Sequence, residues 1–96
     1  QRVASDDVPL KPHRLMAELG RVMGPEDVLV CDAGFASAWG ALYFSQQGAG
    51  RRCIFPRGLA GIGFAVAAGV GAQLAAPERR VVTLGGDGAF TYVMAE

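Results

Sequence analysis

Val81-Val82-Thr83-Leu84-Gly85-Gly86-Asp87-Gly88-Ala89-Phe90 runs from a short apolar strand pattern straight into a glycine-flanked aspartate. The Val-Val-x-Leu run suits a buried strand, and glycine on both sides of a carboxylate suits a sharp exit with close backbone approach to a ligand. Open α/β sheets bind ligands at the carboxyl ends of their strands, which is where Asp87 falls. A carboxylate there can hold a hard cation such as Mg²⁺, with phosphate oxygens completing the shell. A plainer reading stands beside it, in which Asp87 only caps the next helix.

Working outward, a second segment repeats the pattern. Val28-Leu29-Val30-Cys31 is a continuous apolar run of the kind found in buried parallel strands, and it too ends in an acidic, glycine-bearing exit, Asp32-Ala33-Gly34. Cys53-Ile54-Phe55 reads as a third, brief strand stopped by Pro56. Between the strands lie helical patterns. Lys11-Pro12 opens one, with Leu15, Leu19 and Val22 at helical spacing, Met16 and Met23 on the same side, and Gly24-Pro25 as its end. Ala36 to Phe44 is a second, with Trp39, Leu42 and Tyr43 as its bulk. Gln47-Gly48-Ala49-Gly50 reads as a loop, and residues 1–10, polar and then proline-bearing, as a linker or arm. Helix and strand alternate through the chain, which argues for an α/β fold with a parallel sheet.

The stretch from Gly58 to Ala76 carries no charge, and its nineteen residues approach membrane-spanning length. Five are Gly and seven are Ala, however, a composition with little driving force for a lone span. Small residues recur at Gly63, Ala67 and Gly71 and again at Ala65 and Gly69, so a buried helix lying close against a sheet is expected. The same stretch fails as a dinucleotide fingerprint. Val66 stands where Gly61-x-Gly63 would need its third glycine, Leu74 follows Gly69-x-Gly71, and Asp87 comes too late for the ribose carboxylate.

Composition narrows the field further. Ninety-six residues, 51% hydrophobic and 19% charged, suit one globular domain. Nine basic residues balance nine acidic ones, so charge gives no reason to expect nucleic acid or an anionic membrane as partner. Arg51, Arg52, Arg57, Arg79 and Arg80 read as solvated loop residues. Cys31 and Cys53 lack CxxC spacing and the chain has a single histidine, which points to buried free thiols in a reducing, cytoplasmic setting rather than to zinc or disulfides.

Three of these segments together resemble the thiamine diphosphate-dependent enzymes of the acetolactate synthase-like group. They are Gly86-Asp87-Gly88-Ala89-Phe90 after its strand, Gly58-Leu59-Ala60-Gly61-Ile62-Gly63-Phe64-Ala65 running on to Ala72, and Asp32-Ala33-Gly34 followed by Trp39. The resemblance covers about residues 8–96 and implies part of a doubly wound parallel sheet. Residues 11–96 would form the first half of the diphosphate-binding domain, cut at Glu96. Asp87 is then expected to be a Mg²⁺ ligand, with Gly86 and the N–H groups of Gly88 and Ala89 lying against the cofactor's diphosphate. Ile62 matches the bulky apolar residue over which the cofactor bends, bringing its two rings together, and the Ala60 carbonyl matches the acceptor of the aminopyrimidine. An alanine in place of the more usual glycine is expected to cost a backbone acceptor little.

The resemblance also implies cofactor contacts at Gly34, Phe35 and Ala36, made by main-chain N–H groups. The Ser37 hydroxyl would assist where relatives carry Gln and His. Asp32, a like charge beside a diphosphate, is expected to cap a helix instead. Pro56-Arg57 departs from the Ser-Gly or Thr-Gly pair more usual there, and Arg57 faces either an anionic substrate or solvent. Decarboxylation of a 2-oxo acid followed by carboligation is the chemistry the resemblance implies, in a homo-oligomer. A second Mg²⁺ ligand, an Asn, and a catalytic Glu would lie outside residues 1–96, so the isolated segment is expected to be inactive. The alternative is a non-catalytic α/β packing module of the same fold, which would lack that Asn and Glu.

Overall fold

A computed structural model describes residues 6–48 and 52–96. Residues 1–5 of the expected arm, Ala49 and Gly50 of the expected loop, and Arg51 lie outside the described residues. In chain order the elements are α1 (Pro12–Val22), β1 (Val28–Cys31), α2 (Phe35–Tyr43), β2 (Cys53–Ile54), α3 (Phe64–Ala75), β3 (Val81–Leu84) and α4 (Asp87–Thr91). The three strands form one parallel sheet in the order β2-β1-β3, with Leu29 opposite both Cys53 and Val82. The α/β fold expected from the sequence is the fold found.

Strand alternation sends successive β1 side chains to opposite faces, and helices cover both. Leu29 and Cys31 pack with Met23 and Ala36 under α1 and α2, joined by Cys53, Val82 and Leu84. Val28 and Val30 pack with Ala65 under α3, joined by Ile54 and Val81. That double coverage explains why all four β1 residues are buried and why the strand reads as an unbroken apolar run.

Glycines let the layers close up. A Cβ on Gly40 of α2 would sit 2.8 Å from the Cys31 Sγ and 3.0 Å from the Phe55 ring. One on Gly69 of α3 would collide with the Thr83 side chain of β3. Burial pushes the Cys31 thiol up to about 12, with neighbouring Cys53 adding to the shift, so Cys31 remains an inert thiol in the core.

Four expectations need correction. The helix expected from Gly58 begins only at Phe64, because Gly58, Ala60 and Gly63 all take positive φ, which breaks a right-handed helix. The expected burial of that helix holds for one face alone. Ala65 and Gly69 are buried, whereas Val70 and Leu74 are exposed. In α1 the buried positions are Met16, with Met23 at the cap, while Val22 points outward. Finally, Arg52, Arg79 and Arg80 are not simply solvated. Arg52 forms a two-pronged pair with Glu26 (2.9 and 3.1 Å), and Arg79 reaches the same carboxylate at 3.3 Å. Arg80 binds the Asp27 carboxylate and the Val22 carbonyl. Bonds from Gly24 N–H and Arg80 hold the Asp27 carboxyl below its ordinary range. No helix among the described residues is long and apolar enough to cross a membrane.

Candidate cofactor site at the carboxyl ends of β1 and β3

From β1 the chain moves through α2 to β2 on one side, then crosses back through α3 to β3 on the other. The switch in direction therefore lies between β1 and β3, the place where open α/β sheets leave a crevice for ligands. The exits of those two strands are Asp32-Ala33-Gly34 and Gly85-Gly86-Asp87, and the Asp32 N–H donates to the Leu84 carbonyl at 2.8 Å.

Asp87 occupies the first position of α4, one residue after the cap. Gly86 is the N-cap, and no side chain caps the helix, so the plainer reading of Asp87 as the cap does not describe what is found. The side chain is exposed, and a Cβ placed on either Gly86 or Gly88 would meet nothing within 4 Å. The first-turn N–H groups of a helix have no intrahelical acceptors, so this end offers donors to an anion. Among the described residues no group of three or more His, Cys, Asp or Glu side chains gathers to hold a metal. Asp87 supplies one hard oxygen ligand, and phosphate oxygens would have to supply others.

The second half of the site is the loop before α3. Ile62 is 59% exposed and Leu59 is fully exposed, so neither packs into the core formed by the described residues. Ala60 stands at φ +46, a left-handed conformation that costs a non-glycine residue about 1–2 kcal/mol. Alanine is therefore not as cheap here as expected, because a carbonyl that any residue could supply comes with a left-handed backbone. Gly63 joins the two halves. It has φ +91, and an added Cβ would lie 2.7 Å from Val93 Cγ1 and 3.5 Å from the Ala89 carbonyl. The loop bearing Ala60 and Ile62 thus abuts the segment bearing Gly88 and Ala89.

At the third edge, Gly34 caps α2 with φ +88 and no capping side chain. Phe35 is 77% exposed and stacks on Trp39 with ring centroids 6.0 Å apart, while the Ala36 side chain is buried against the sheet. Only main-chain groups of Ala36 could meet a ligand. Ser37 is corrected in the same way: its buried hydroxyl donates to the Gly34 carbonyl at 3.0 Å and is not turned to the crevice.

One feature was legible only in part. Asp32 does cap a helix, but not the one that follows it. Its Oδ1 accepts the Gly63 N–H at 3.0 Å and its Oδ2 the Ala65 N–H at 3.2 Å, at the start of α3, thirty-one and thirty-three positions along the chain. The only local signal was an acidic residue at a strand exit, and that signal does not name its partner.

Residues 32–96 match the family model described as thiamine pyrophosphate enzyme, C-terminal TPP binding domain. The chain belongs to this thiamine pyrophosphate enzyme family. Among curated relatives, it is 37% identical over 90 residues to the acetolactate synthase of Mycobacterium leprae (strain TN), covering 94% of this chain and 14% of the relative. The acetolactate synthase of Mycobacterium bovis (strain ATCC BAA-935 / AF2122/97) is 33% identical over 94% of this chain and 14% of its own length. The acetolactate synthase large subunit of Lactococcus lactis subsp. lactis (strain IL1403) is 31% identical over 91% and 15%. The chain therefore spans about one seventh of the length of these relatives. The TPP-binding family match begins at Asp32 and takes in the β1 exit, the loop before α3 and the Gly86–Ala89 turn.

Proposed function

We propose that this chain forms the diphosphate-holding part of a thiamine diphosphate- and Mg²⁺-dependent enzyme acting on 2-oxo acids, by decarboxylation and carboligation in the manner of an acetolactate synthase. The observation that carries the reading is the exposed Asp87 at the uncapped start of α4, between open glycines, at the switch point of a TPP-family sheet. Asp87 would ligate Mg²⁺, and Gly86 and the N–H groups of Gly88 and Ala89 would receive diphosphate oxygens. Main-chain groups of Gly34, Phe35 and Ala36, which follow the β1 exit at the start of α2, would bind the cofactor from that side. Bound there, thiamine diphosphate supplies a carbon nucleophile and an electron sink for chemistry beside a carbonyl.

The residues around the crevice would perform binding and orientation. Ile62, held outside the core, would press the two cofactor rings together, and the Ala60 carbonyl would accept a hydrogen bond from the aminopyrimidine. Fixing that geometry is a proximity effect, supplied by shape with no acid or base from these two residues. The exposed apolar Leu59, Ile62 and Phe35 would keep water from the rings once covered, which fits a site completed by a second subunit of a homo-oligomer. Neither nucleic acid nor membrane enters this reading.

Asp87→Ala in the natural full-length protein tests it. Loss of an outer-shell partner lowers metal affinity about 10–100-fold, and a direct ligand should cost no less. Activity on pyruvate at fixed Mg²⁺ is expected to fall about 100-fold or more, with partial recovery at high Mg²⁺. Unchanged activity with an unchanged metal requirement would sink the assignment.

A further inference from the structure

Asp32 is a carboxylate only 1% exposed, and its partners in the fold are three main-chain N–H groups. Ala33 N–H donates to Oδ1 at 2.7 Å, Gly63 N–H to Oδ1 at 3.0 Å and Ala65 N–H to Oδ2 at 3.2 Å. Burying a carboxylate is expensive, and here the compensation comes from N–H dipoles and the positive end of α3. The arrangement has a reason in Gly63. That residue is the N-cap of α3, but its φ of +91 and the 2.7 Å approach of Val93 exclude a side chain, so the cap must come from elsewhere.

Asp32 touches the other half of the crevice as well. Its N–H bonds the last carbonyl of β3, and Gly85 lies close enough that an added Cβ would be 3.6 Å from both the Asp32 Cβ and Oδ2. One residue thus ties the β1 exit, the start of α3 and the β3 exit to each other.

We propose that Asp32 is a positioning residue that sets the Ala60–Ile62 loop relative to the Gly86–Ala89 turn, and so fixes where the cofactor's rings lie with respect to its diphosphate. The proposal rests on the functional reading above and adds a residue that touches neither end of the ligand. It makes a prediction that a general packing role does not. Asp32→Asn keeps the shape but turns an amide NH₂ toward one of the N–H groups, so the loop should loosen while the diphosphate turn survives.

The experiment compares Mg²⁺-dependent binding of thiamine diphosphate and of inorganic pyrophosphate to the natural full-length protein and to its Asp32→Asn variant. Thiamine diphosphate affinity should fall at least tenfold while pyrophosphate affinity stays within twofold. Hydrogen exchange in peptides covering residues 60–66 should rise at least tenfold, with those of α1 unchanged. Equal losses for both ligands, or no loss for either, overturn the proposal, as does unchanged exchange at residues 60–66. If the Asn variant fails to fold, Asp32→Glu carries the same test, since it keeps the charge but places its oxygens one methylene further out. A wild-type preference for thiamine diphosphate in that variant is equally fatal. The functional reading fails differently: the parent protein would then bind thiamine diphosphate no tighter than pyrophosphate. In that case the exchange data still decide whether Asp32 holds the loop.

Discussion

The two ends of the sheet are built on opposite principles. At the amino end every strand is introduced by charge: Glu26-Asp27 before β1, Arg52 before β2, and Arg79-Arg80 before β3. Those charges pair across the strands, Arg52 and Arg79 on Glu26 and Arg80 on Asp27, so side chains in contact with water fasten that end. At the carboxyl end the exits are glycine-rich, the large apolar side chains Phe35, Leu59 and Ile62 are exposed, and one buried carboxylate holds the backbone together. The first arrangement closes an end of the fold at little cost. The second leaves N–H groups and apolar surface free for a ligand, and concentrates the backbone constraint at Ala60, Gly63 and Asp32.

The comparison is broken most severely at Gly63. In Gly63→Ala the new methyl must accept a left-handed backbone, at about 1–2 kcal/mol, and push Val93 aside, at about 1–3 kcal/mol more. A loss of about 2–5 kcal/mol in thermal or denaturant unfolding is expected, together with weaker cofactor binding. A loss under about 0.5 kcal/mol would mean that the carboxyl end is slack rather than constrained.

The amino end should respond more mildly. Arg52→Ala removes a two-pronged pair whose arginine side chain is 12% exposed and whose Glu26 is 64% exposed, and such pairs are worth about 1 kcal/mol or less. The loss should shrink in high salt, which the Gly63 effect should not. The pH dependence has a definite sign. The Asp27 carboxyl is held below its ordinary value by Gly24 N–H first and Arg80 second. Its contribution is therefore present above about pH 4 and is lost as pH falls through the lowered folded-state value. Acid unfolding of Arg80→Ala should start at a higher pH than that of the parent. Identical acid limbs would show that the pair contributes nothing.

How much of this was legible in the chain follows from whether each signal is local. Val28–Cys31 declared itself because a strand covered on both faces is apolar throughout. Val81–Leu84, only half-buried and with Thr83 exposed, showed itself by its three apolar residues, and the alternation with helices pointed to a parallel sheet. The start of α3 was misplaced because Gly58–Gly63 and the helix after it share one uncharged composition, and only the positive φ values separate them. The arginine clamps were missed because their partners lie 26 to 58 positions away, although charges bunched before each strand were a usable hint. Asp87 was readable as a candidate ligand because its signal, an apolar strand running into a glycine-flanked carboxylate, is contiguous in the chain. Asp32 was readable only as some kind of cap, since its target is fixed by the crossover through β2. The exposed face of α3 was not legible, because small-residue spacing marks close approach on one side and says nothing of the other.

Ala60 offers the finest test of the contrast, since it asks whether constraint at the carboxyl end costs stability that a glycine would return. Left-handed backbone is unfavourable for alanine by about 1–2 kcal/mol, while glycine raises the entropy of the unfolded chain by about 0.4–1 kcal/mol, so the two effects nearly cancel. Ala60→Gly should therefore stabilise the fold by about 0.5 kcal/mol, read as a small upward shift of the unfolding midpoint. The consequence for binding runs the other way. Alanine at this φ has fewer neighbouring conformations open to it than glycine, so the parent loop presents its carbonyl and Ile62 in a narrower range of positions. The glycine variant should gain stability and lose some thiamine diphosphate affinity, about two- to threefold, with pyrophosphate affinity unchanged. A variant improved in both would mean that the backbone at Ala60 is held for no purpose at this site, and that Asp32 alone orders the loop.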